Sequence, residues 1–371
     1  MRPLLRRLLY GLRTEGAGPS REAAAIGVGV FVGCSPFYGF HLLICWGLGT
    51  LLGLNRLKLY LAANVSNPIV APFLLLGELQ TGAWLRSGTV YPFAIQTLRT
   101  ADPWVFGGDL LAGSLVVGGL LAALAAAVTY ALVRDRSKDV LFAALVKRAS
   151  DRYVSASIVG WEFAHGKLNS DPVYETVLGG ELLPSGGTLV DIGCGQGLML
   201  SLLAEAADAV RLNTWPATRT APPVFDRLVG VELRRRQARL AEAALGTSAE
   251  ILHADAGALP LTQYSAVLLF DVLHMMSAPR QEELLRRLSN ALTPGGVMLV
   301  READAAAGWR FTMVRMINFL QAIRVGSWKR EVHYRRRHEW LACFERCGLA
   351  AEVCELRGGG TLGNVLFRVT R

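Results

Sequence analysis

Long apolar stretches that charged residues hardly interrupt fill the first third of the chain. No Asp, Glu, Lys or Arg occurs from Ala23 to Leu54, from Leu59 to Gly77 or from Leu110 to Val133. The last stretch would rise about 36 Å as a helix, which exceeds the roughly 30 Å hydrocarbon core of a bilayer. A helix that is apolar on every side is either deeply buried or lies in lipid. The pattern therefore predicts a transmembrane helix over 110–133.

The two earlier apolar stretches contain breaks. Residues 33–39 (GCSPFYG) interrupt the first, and Asn64, Asn67-Pro68 and Pro72 interrupt the second. Proline removes a backbone donor and glycine permits a tight bend, so the first stretch predicts a helical hairpin whose arms are each short for a full span. Two crossings of the membrane result if this hairpin is re-entrant, and four result if both of its arms span.

After the last apolar stretch the pattern changes to that of an α/β domain. Residues 139–170 predict one or two helices, and Asp171-Pro172 predicts the cap and first position of another. Apolar strands then alternate with helices, beginning near Thr188, Leu228, Ala249, Ala266 and Val297. This alternation predicts a parallel sheet with right-handed crossovers. Two tail segments, Ala350–Arg357 and Asn364–Thr370, predict an antiparallel hairpin at its edge.

Composition agrees with this division and excludes several classes of protein. The 371 residues are only 19 % charged, and the apolar excess lies in the first part. We expect a helical membrane domain over 1–138 with two to four transmembrane segments, and an α/β domain over 139–371 whose core is 171–371. The net charge of +9 fits basic residues that flank membrane segments, and no sequence motif indicates nucleic acid. Six cysteines without a CxxC predict reduced thiols and no metal site.

The most informative passage is Thr188–Gly197, where an apolar strand runs into a turn of sequence DIGCGQG. Glycines at such a turn let the backbone approach a ligand closely. The spacing is G-x-G-x-G, whereas a dinucleotide site has G-x-G-x-x-G. The turn resembles motif I of the class I S-adenosylmethionine-dependent methyltransferases (type 11-like). The resemblance implies that Gly193, Gly195 and Gly197 wrap the amino-acid and ribose parts of the cofactor, with Asp191 near its ammonium group.

Acids at the next strand tips extend this resemblance. Glu232 ends the second strand and matches the family's ribose-binding acid, since a carboxylate can accept both ribose hydroxyls. Asp255 follows the third strand and matches the acid that receives the adenine amino group, with Ala256 giving a backbone donor. Each acid taken singly could instead cap a helix or hold a turn. The expected cofactor-binding residues are Asp191, Gly193, Cys194, Gly195, Gly197, Glu232, Leu233, Asp255, Ala256 and Asp271.

Two further similarities concern the whole architecture. The sequence Thr-Pro-Gly-Gly at 293–296, before the fifth strand, is another hallmark of the methyltransferases, whose fold is a Rossmann-like seven-stranded sheet with an antiparallel edge hairpin. Roughly residues 15–140 resemble a small bacterial membrane domain family of unknown function (the DUF2062 type). That similarity lies in Gly27, Gly29, Gly33, Pro36, Gly39, His41 and Ser66-Asn67-Pro68. It implies a membrane location but does not indicate what activity the domain has. His41 and the Asn-Pro break either line a polar cavity or simply pack and kink helices.

The acceptor side of the predicted site is less specific. His274, just after the fourth strand, is the predicted catalytic base if the acceptor must lose a proton, and a packing residue otherwise. Residues 309–325 carry apolar positions at helical spacing, which predicts a lid or a helix lying on the membrane. The insertion at 213–223, with Trp215, is a surface loop or a substrate or membrane contact. Lys329, Arg330, Arg335, Arg336 and Arg337 form a solvated basic face, or meet phospholipid headgroups or an acidic carrier protein.

These patterns predict a membrane-anchored methyltransferase that acts on a hydrophobic small molecule, a lipid or an acyl or aryl intermediate, free or carrier-bound. Residues 360–364 and 167–172 also resemble, loosely, methyltransferases of bacterial aryl-polyene pathways. S-adenosyl-L-methionine is made in the cytosol, so the catalytic domain should face the cytoplasm at the bacterial inner membrane. The basic N-terminus favours the same side, and the number of crossings is then even. The alternative is a transport or scaffold protein whose second domain only senses the cofactor.

Overall fold

The computed structural model describes eight stretches of the chain, which are residues 10–11, 18–92, 102–134, 139–179, 181–258, 263–316, 332–356 and 363–371. Within the chain two compact units are distinguished, Met1–Lys138 and Asp139–Arg371. Several predictions lie outside the described residues: those for Arg2, Arg6, Arg7, Arg13, residues 135–138, residues 317–331 with Lys329 and Arg330, and the turn at 358–361. We describe each unit by itself.

The described part of the first unit is helical. Its helices are α1 (Pro19–Gly33), α2 (His41–Leu52), α3 (Arg56–Ala63), α4 (Ala71–Ser87) and α5 (Pro103–Arg134). The breaks fall where proline, glycine and asparagine predict them. Residues 34–40 form turns between α1 and α2, and Asn55 caps α3 by accepting the backbone N–H of Lys58 at 2.8 Å. A bend of 78° separates the helical stretch 56–66 from α4.

One helix of the described residues, α5, is long and apolar enough to cross a membrane. Only 17 % of its apolar stretch is buried within the protein, whereas the core helix of a soluble domain is mostly buried. The bent pair 56–66 and 71–87 counts as a second candidate only if its two arms are taken as one span. The structure thus offers one or two candidate spans, where the sequence predicted two to four. The arms of the first hairpin, α1 and α2, are shorter than a full span.

The second unit is an α/β fold in which three helices precede a seven-stranded mixed sheet. The helices are α6 (Val140–Asp151), α7 (Ile158–Ser170) and α8 (Pro172–Gly179). Further helices in order are α9 (Leu198–Arg211), α10 (Arg235–Leu245), α11 (Ala278–Ala291), α12 (residues 309–316) and α13 (Arg337–Arg346). The strands are β1 (Thr188–Ile192), β2 (Arg227–Val231), β3 (Glu250–Leu252), β4 (Tyr264–Phe270), β5 (Leu292–Ala303), β6 (Ala350–Cys354) and β7 (Asn364–Thr370).

The strand order is β3-β2-β1-β4-β5-β7-β6. Strands β1 to β5 pair in parallel, and β7 is antiparallel to both β5 and β6. The predicted seven-stranded sheet with an antiparallel edge hairpin is therefore confirmed. Strand β5 begins five residues earlier than the expected start at Val297, because the segment 292–296 is extended, and its regular pairing with β4 resumes after an irregularity at Tyr264/Ala266.

A close-packed core lies between the sheet and two of its covering helices. Val267 on β4, Leu285 on α11 and Phe344 on α13 are all fully buried members of it. Continuous apolar runs such as these are typical of strands covered on both faces. Because strands β1 to β5 are parallel, their carboxyl ends lie at the same edge of the sheet, which is where ligands bind in this class of fold.

The insertion between α9 and β2 lies at the opposite edge, where the strands begin. Trp215 donates its indole N–H to the carbonyl of Thr220 at 3.1 Å, and Arg219 pairs with Asp139 at the start of α6. These contacts tie the insertion to α6 and favour the surface-loop interpretation of Trp215. The loop also borders a cavity of about 370 Å³ beside Phe142.

Candidate active site

A tight turn links the end of β1 to the start of α9. Its three glycines have left-handed backbones, with φ of 72° at Gly193, 58° at Gly195 and 75° at Gly197. A Cβ on Gly193 would lie 2.4 Å from Val272 Cγ2, and a Cβ on Gly197 would lie 2.6 Å from Leu245 Cδ1, so a side chain at either position would clash. Among the described residues, a Cβ at Gly195 would meet no atom within 4 Å. The turn is therefore packed at both ends and open at its centre.

Glu232, immediately after β2, faces this turn. Its Oε2 accepts the Gly195 N–H at 2.9 Å, and its Oε1 accepts the backbone N–H and the Nε–H of Arg234 at 2.8 and 2.9 Å. The Glu232 side chain is buried, whereas Arg234 is more than half exposed. A carboxylate and the glycine turn thus meet directly at the carboxyl edge of the sheet.

Asp191 lies on β1 just before the turn and is also buried. Burial, and then the negative charge of Glu232, raises the pKa of Asp191 to about 7, although Arg301 opposes the shift. In the described part of the chain no group donates a hydrogen bond to its carboxylate. Two adjacent buried acids, one of them without a donor, favour a positively charged ligand.

Helices α6 and α7 lie over the turn. Tyr153, just after α6, donates its hydroxyl to the Gln196 carbonyl at 2.7 Å, and Ser201 on α9 donates to the Ala149 carbonyl at 2.9 Å. A Cβ on Gly160 of α7 would lie 3.6 Å from Gln196 Oε1. That oxygen is buried, and no described residue donates to it. The wall of the turn therefore contains an unsatisfied acceptor.

A buried arginine connects the helical cover to the strand tips. Arg301 on β5 donates to Asp171 Oδ2 at 2.7 Å, and its Nε and Nη2 both contact Asp271. Asp171 also caps α8 by accepting the Val173 N–H at 3.2 Å. Asp271 has a φ of 58°, which is unusual for a residue with a side chain, and its contacts with Arg301 hold it there.

His274 and Glu302 form a second buried pair near the same edge. His274 Nδ1 lies 2.8 Å from Glu302 Oε2, while Glu302 Oε1 accepts the Leu273 N–H at 2.6 Å. Burial opposes the charged imidazolium and is the largest single effect, but the Glu302 hydrogen bond together with the negative charges of Glu302 and Asp271 outweighs it and raises the pKa of His274 above its ordinary value. The Tyr334 ring stacks on the imidazole at 4.9 Å. No described residue bonds to His274 Nε2.

Family comparisons give the chemistry that this geometry serves. The family described as "Methyltransferase domain" matches residues 168–353, which is half of the chain. The chain belongs to the methyltransferases. The family described as "Uncharacterized protein conserved in bacteria (DUF2062)" matches residues 2–139. No curated protein matches the chain.

Three solved structures that are similar to the methyltransferase are distant from it in sequence. The YcgJ protein of Bacillus subtilis is 17 % identical over 49 % of this chain and 68 % of its own, with a TM-score of 0.36. A S-adenosylmethionine-dependent methyltransferase of Methanosarcina mazei is 18 % identical over 52 % and 95 %, with a TM-score of 0.36. The complex of the Haloferax volcanii Trm112 methyltransferase activator with a putative methyltransferase is 16 % identical over 62 % of this chain and 96 % of its own, with a TM-score of 0.38.

The family match shows a methyltransferase, and the residues of the site fit S-adenosylmethionine as its cofactor. The cofactor carries an ammonium group, a sulfonium and a ribose diol. Asp191 and Glu232 supply buried negative charge beside the open centre of the turn, where the absence of a Cβ on Gly195 lets a ligand approach the backbone. When bound, the cofactor supplies an activated methyl group.

The other sequence-predicted site residues are placed less directly. The Cys194 side chain is buried, and its Sγ packs against β2, because a Cβ added to Gly230 would lie 2.8 Å from that sulfur. Cys194 therefore contributes only its backbone to the turn. Leu233 is half exposed next to Glu232. Asp255 accepts the Gly257 N–H at 2.7 Å and lies 3.7 Å from Arg280, and no described contact joins it to the turn. Ala256 packs against the core.

Sequence reasoning missed the residues that organise the site from a distance. Arg301 was assigned only to the end of a strand, Asp171 was assigned only to a helix cap, and Glu302 was given no role. The available signal was the pair of charges directly after the apolar run Val297–Val300. Charges at the end of a buried strand require partners, and here both have them. Asp271, predicted to bind the cofactor, has its carboxylate engaged by Arg301.

Proposed function

We propose that this methyltransferase is anchored in the bacterial cytoplasmic membrane and methylates a hydrophobic acceptor, which is a small molecule, a lipid or an acyl or aryl intermediate. The observation that carries the proposal is an exposed apolar stripe on α12, a helix that contacts the Tyr334 ring stacked on His274. Trp309, Met313 and Met316 lie on one face of α12, and their side chains are exposed. Met275, which follows His274 in the chain, is another exposed apolar side chain. Phe311 of the same helix touches Tyr334 edge-on at 5.1 Å, which joins α12 to the His274 pair.

Membrane anchoring is supported by where the exposed apolar side chains lie. Of the 37 large hydrophobic side chains exposed among the described residues, 27 belong to the first unit. A soluble protein rarely exposes so much contiguous apolar surface. Our proposal places this unit in the bilayer with an even number of crossings, and the methyltransferase domain on the cytoplasmic side where its cofactor is made.

In the proposed mechanism the chain binds, orients and excludes water. Asp191 and Glu232 hold the cofactor's ammonium and ribose against the glycine turn, and helices α6 and α7 cover it. Positioning of acceptor and methyl group in line is the main source of rate enhancement for such a displacement, of order 7–11 kcal/mol in favourable cases. Where the acceptor must lose a proton, His274 Nε2 takes it while Glu302 fixes the ring through Nδ1.

The basic segment before α13 is divided between structure and surface. Arg335 donates to Gln281 at 2.7 Å and lies over the Trp340 ring, so it holds α13 to α11. Arg336 and Arg337 are exposed. We propose that these two arginines meet the phosphates of lipid headgroups or an acidic carrier protein that presents the acceptor.

Reconstituted protein tests the proposal. The full chain in lipid vesicles is incubated with S-adenosylmethionine carrying a deuterated methyl group and with a lipid extract of the host cells. We expect labelled product in the organic phase, found by mass spectrometry, and none with Glu232→Ala. The substrate proposal is wrong if label enters only water-soluble acceptors. The anchoring proposal is wrong if carbonate washing releases the protein from membranes.

A further inference from the structure

The first unit contains a carboxyl group that the fold buries without a partner. Glu78, on α4, has no solvent exposure, and in the described part of the chain neither of its oxygens takes part in a hydrogen bond. An unpaired carboxylate in such surroundings costs several kcal/mol. Glu78 is not used by methyl transfer, so its presence requires another explanation.

The same pair of helices shows how this fold treats a structural acid. Asp109 on α5 is as buried as Glu78, yet Arg86 donates to both of its oxygens at 2.7 and 2.8 Å, and the Tyr91 hydroxyl donates at 2.8 Å. The two buried carboxyl groups of this helix pair therefore differ in hydrogen bonding. Asp109 accepts three hydrogen bonds from side chains, whereas Glu78 accepts none from the described residues.

Close packing keeps Glu78 where it is. Helix α5 passes α4 so tightly that a Cβ on Gly113 would lie 1.6 Å from the Glu78 carbonyl oxygen, and a Cβ on Gly82 would lie 1.7 Å from that of Asp109. Small residues allow helix backbones to approach in this way. The Glu78 backbone is thus fixed at a helix crossing.

The surroundings of Glu78 favour positive charge. Its carboxyl interacts electrostatically with Cys34 and Tyr38, which are the titratable groups facing it among the described residues. Cys34 is the C-cap residue of α1. It packs closely against α5, because a Cβ added to Gly118 of that helix would lie 2.9 Å from the Cys34 Cβ. The C-terminal end of a helix carries partial negative charge. The carboxylate and the helix C-terminus attract a cation, and the neutral thiol and phenol add no positive charge that would oppose it.

We propose that Glu78 is an exchangeable binding site for a monovalent cation in the helical unit, with a proton as the resting occupant. The proton neutralises the carboxyl group inside the protein, and an alkali cation such as Na⁺ replaces it by binding the carboxylate oxygens. This inference goes beyond methyl transfer and does not depend on the identity of the acceptor.

A lipid-soluble carbodiimide tests the site on the full chain in vesicles. Dicyclohexylcarbodiimide reacts with a protonated carboxyl group, whose proton moves to nitrogen as the new carbon–oxygen bond forms, and the adduct rearranges to a stable N-acylurea. Peptide mass spectrometry should find the adduct on Glu78 and not on Asp109. Labelling should fall as the pH rises. Suppression by Na⁺ but not by choline at equal ionic strength supports an alkali cation, and labelling that responds to pH alone supports a proton-only site.

Two results would overturn the proposal. One is the absence of adduct on Glu78 at every pH, and the other is labelling that Na⁺ does not suppress, whether or not it responds to pH. Thermal unfolding of matched variants gives an independent check. Glu78→Gln should melt at or above the wild-type temperature, because no described partner is lost, whereas Asp109→Asn should melt several degrees lower. Equal destabilisation by both variants would show that Glu78 only holds the helices together.

Discussion

Replacing Asp191 with asparagine separates cofactor binding from folding stability. Asp191 is buried beside Glu232, and the described residues give it no donor. Asparagine keeps nearly the same shape and removes the charge. We expect Asp191→Asn to bind S-adenosylmethionine far more weakly, because the cofactor's cation loses its buried counter-charge, and to gain stability at neutral and alkaline pH.

The size of this gain follows from the pKa of Asp191, which burial and Glu232 raise from 3.8 to about 7. A folded-state pKa above the unfolded value means that the folded protein retains a proton that the unfolded chain has released. The resulting stabilisation is present below pH 3.8 and is lost as the pH rises through 7. Linkage gives a loss of about 2 kcal/mol between pH 5.5 and pH 8.5. For a domain of this size that is roughly 4–8 °C in melting temperature.

Thermal unfolding of the full chain in detergent, followed by tryptophan fluorescence, measures the effect. The melting temperature of the variant minus that of the wild type should increase by this amount from pH 5.5 to pH 8.5. Saturating S-adenosylmethionine should stabilise the wild type and not the variant. Asp208→Asn is the matched control, since this carboxylate is partly exposed and pairs with Arg211. It should change neither quantity.

Two outcomes would refute the reasoning about Asp191. If the difference between variant and wild type does not change with pH, the carboxyl group is not titrating in a low-dielectric environment. If Asp191→Asn binds the cofactor as tightly as the wild type does, the positive group of the cofactor lies elsewhere. Isothermal calorimetry distinguishes the second outcome from a simple loss of fold.

Three further predictions concern the same edge of the sheet. Glu232→Gln should weaken cofactor binding by about 1.5–3 kcal/mol, measured by calorimetry, because a charged acceptor is lost while the shape remains; unchanged affinity would place the ribose elsewhere. Arg301→Ala should destabilise the protein by about 3–5 kcal/mol in denaturant unfolding, since it leaves acids unpaired, and Arg301→Lys should recover part of this. If His274 is the base, activity should rise with pH through its raised pKa, and Glu302→Gln should move that rise to lower pH; identical profiles would exclude the role.

The parts of the site that the sequence predicts are local. A strand that runs into glycines and an acid at the next strand tip can be located from spacing alone, and both meet in the structure at Gly195 and Glu232. Arg301 and Asp171 are 130 positions apart, so only the folded sheet shows that they bind each other. The same reason hid the pairing of His274 with Glu302.

In the first unit the sequence was informative about breaks between helices and less so about the number of possible membrane spans. Asparagine and proline between α3 and α4 predict an interruption, because they remove donors or offer competing acceptors to the backbone. Whether a broken pair crosses a bilayer depends on the angle between its arms, which is 78° here and is set by packing. That no described residue pairs with Glu78 is likewise visible only in the folded structure.

Strand β5 places opposite charges side by side, at Arg301 and Glu302. Successive side chains of a strand point to opposite sides, so the arginine reaches Asp171 and Asp271 while the glutamate reaches His274. If the register of β5 shifted by one residue, the Glu302 carboxylate would face the two aspartates and the Arg301 guanidinium would face the His274 ring. The antiparallel ladder with β7, in which Arg301 faces Leu366, opposes such slippage. The edge hairpin of the sheet thereby fixes the register on which both charge pairs depend.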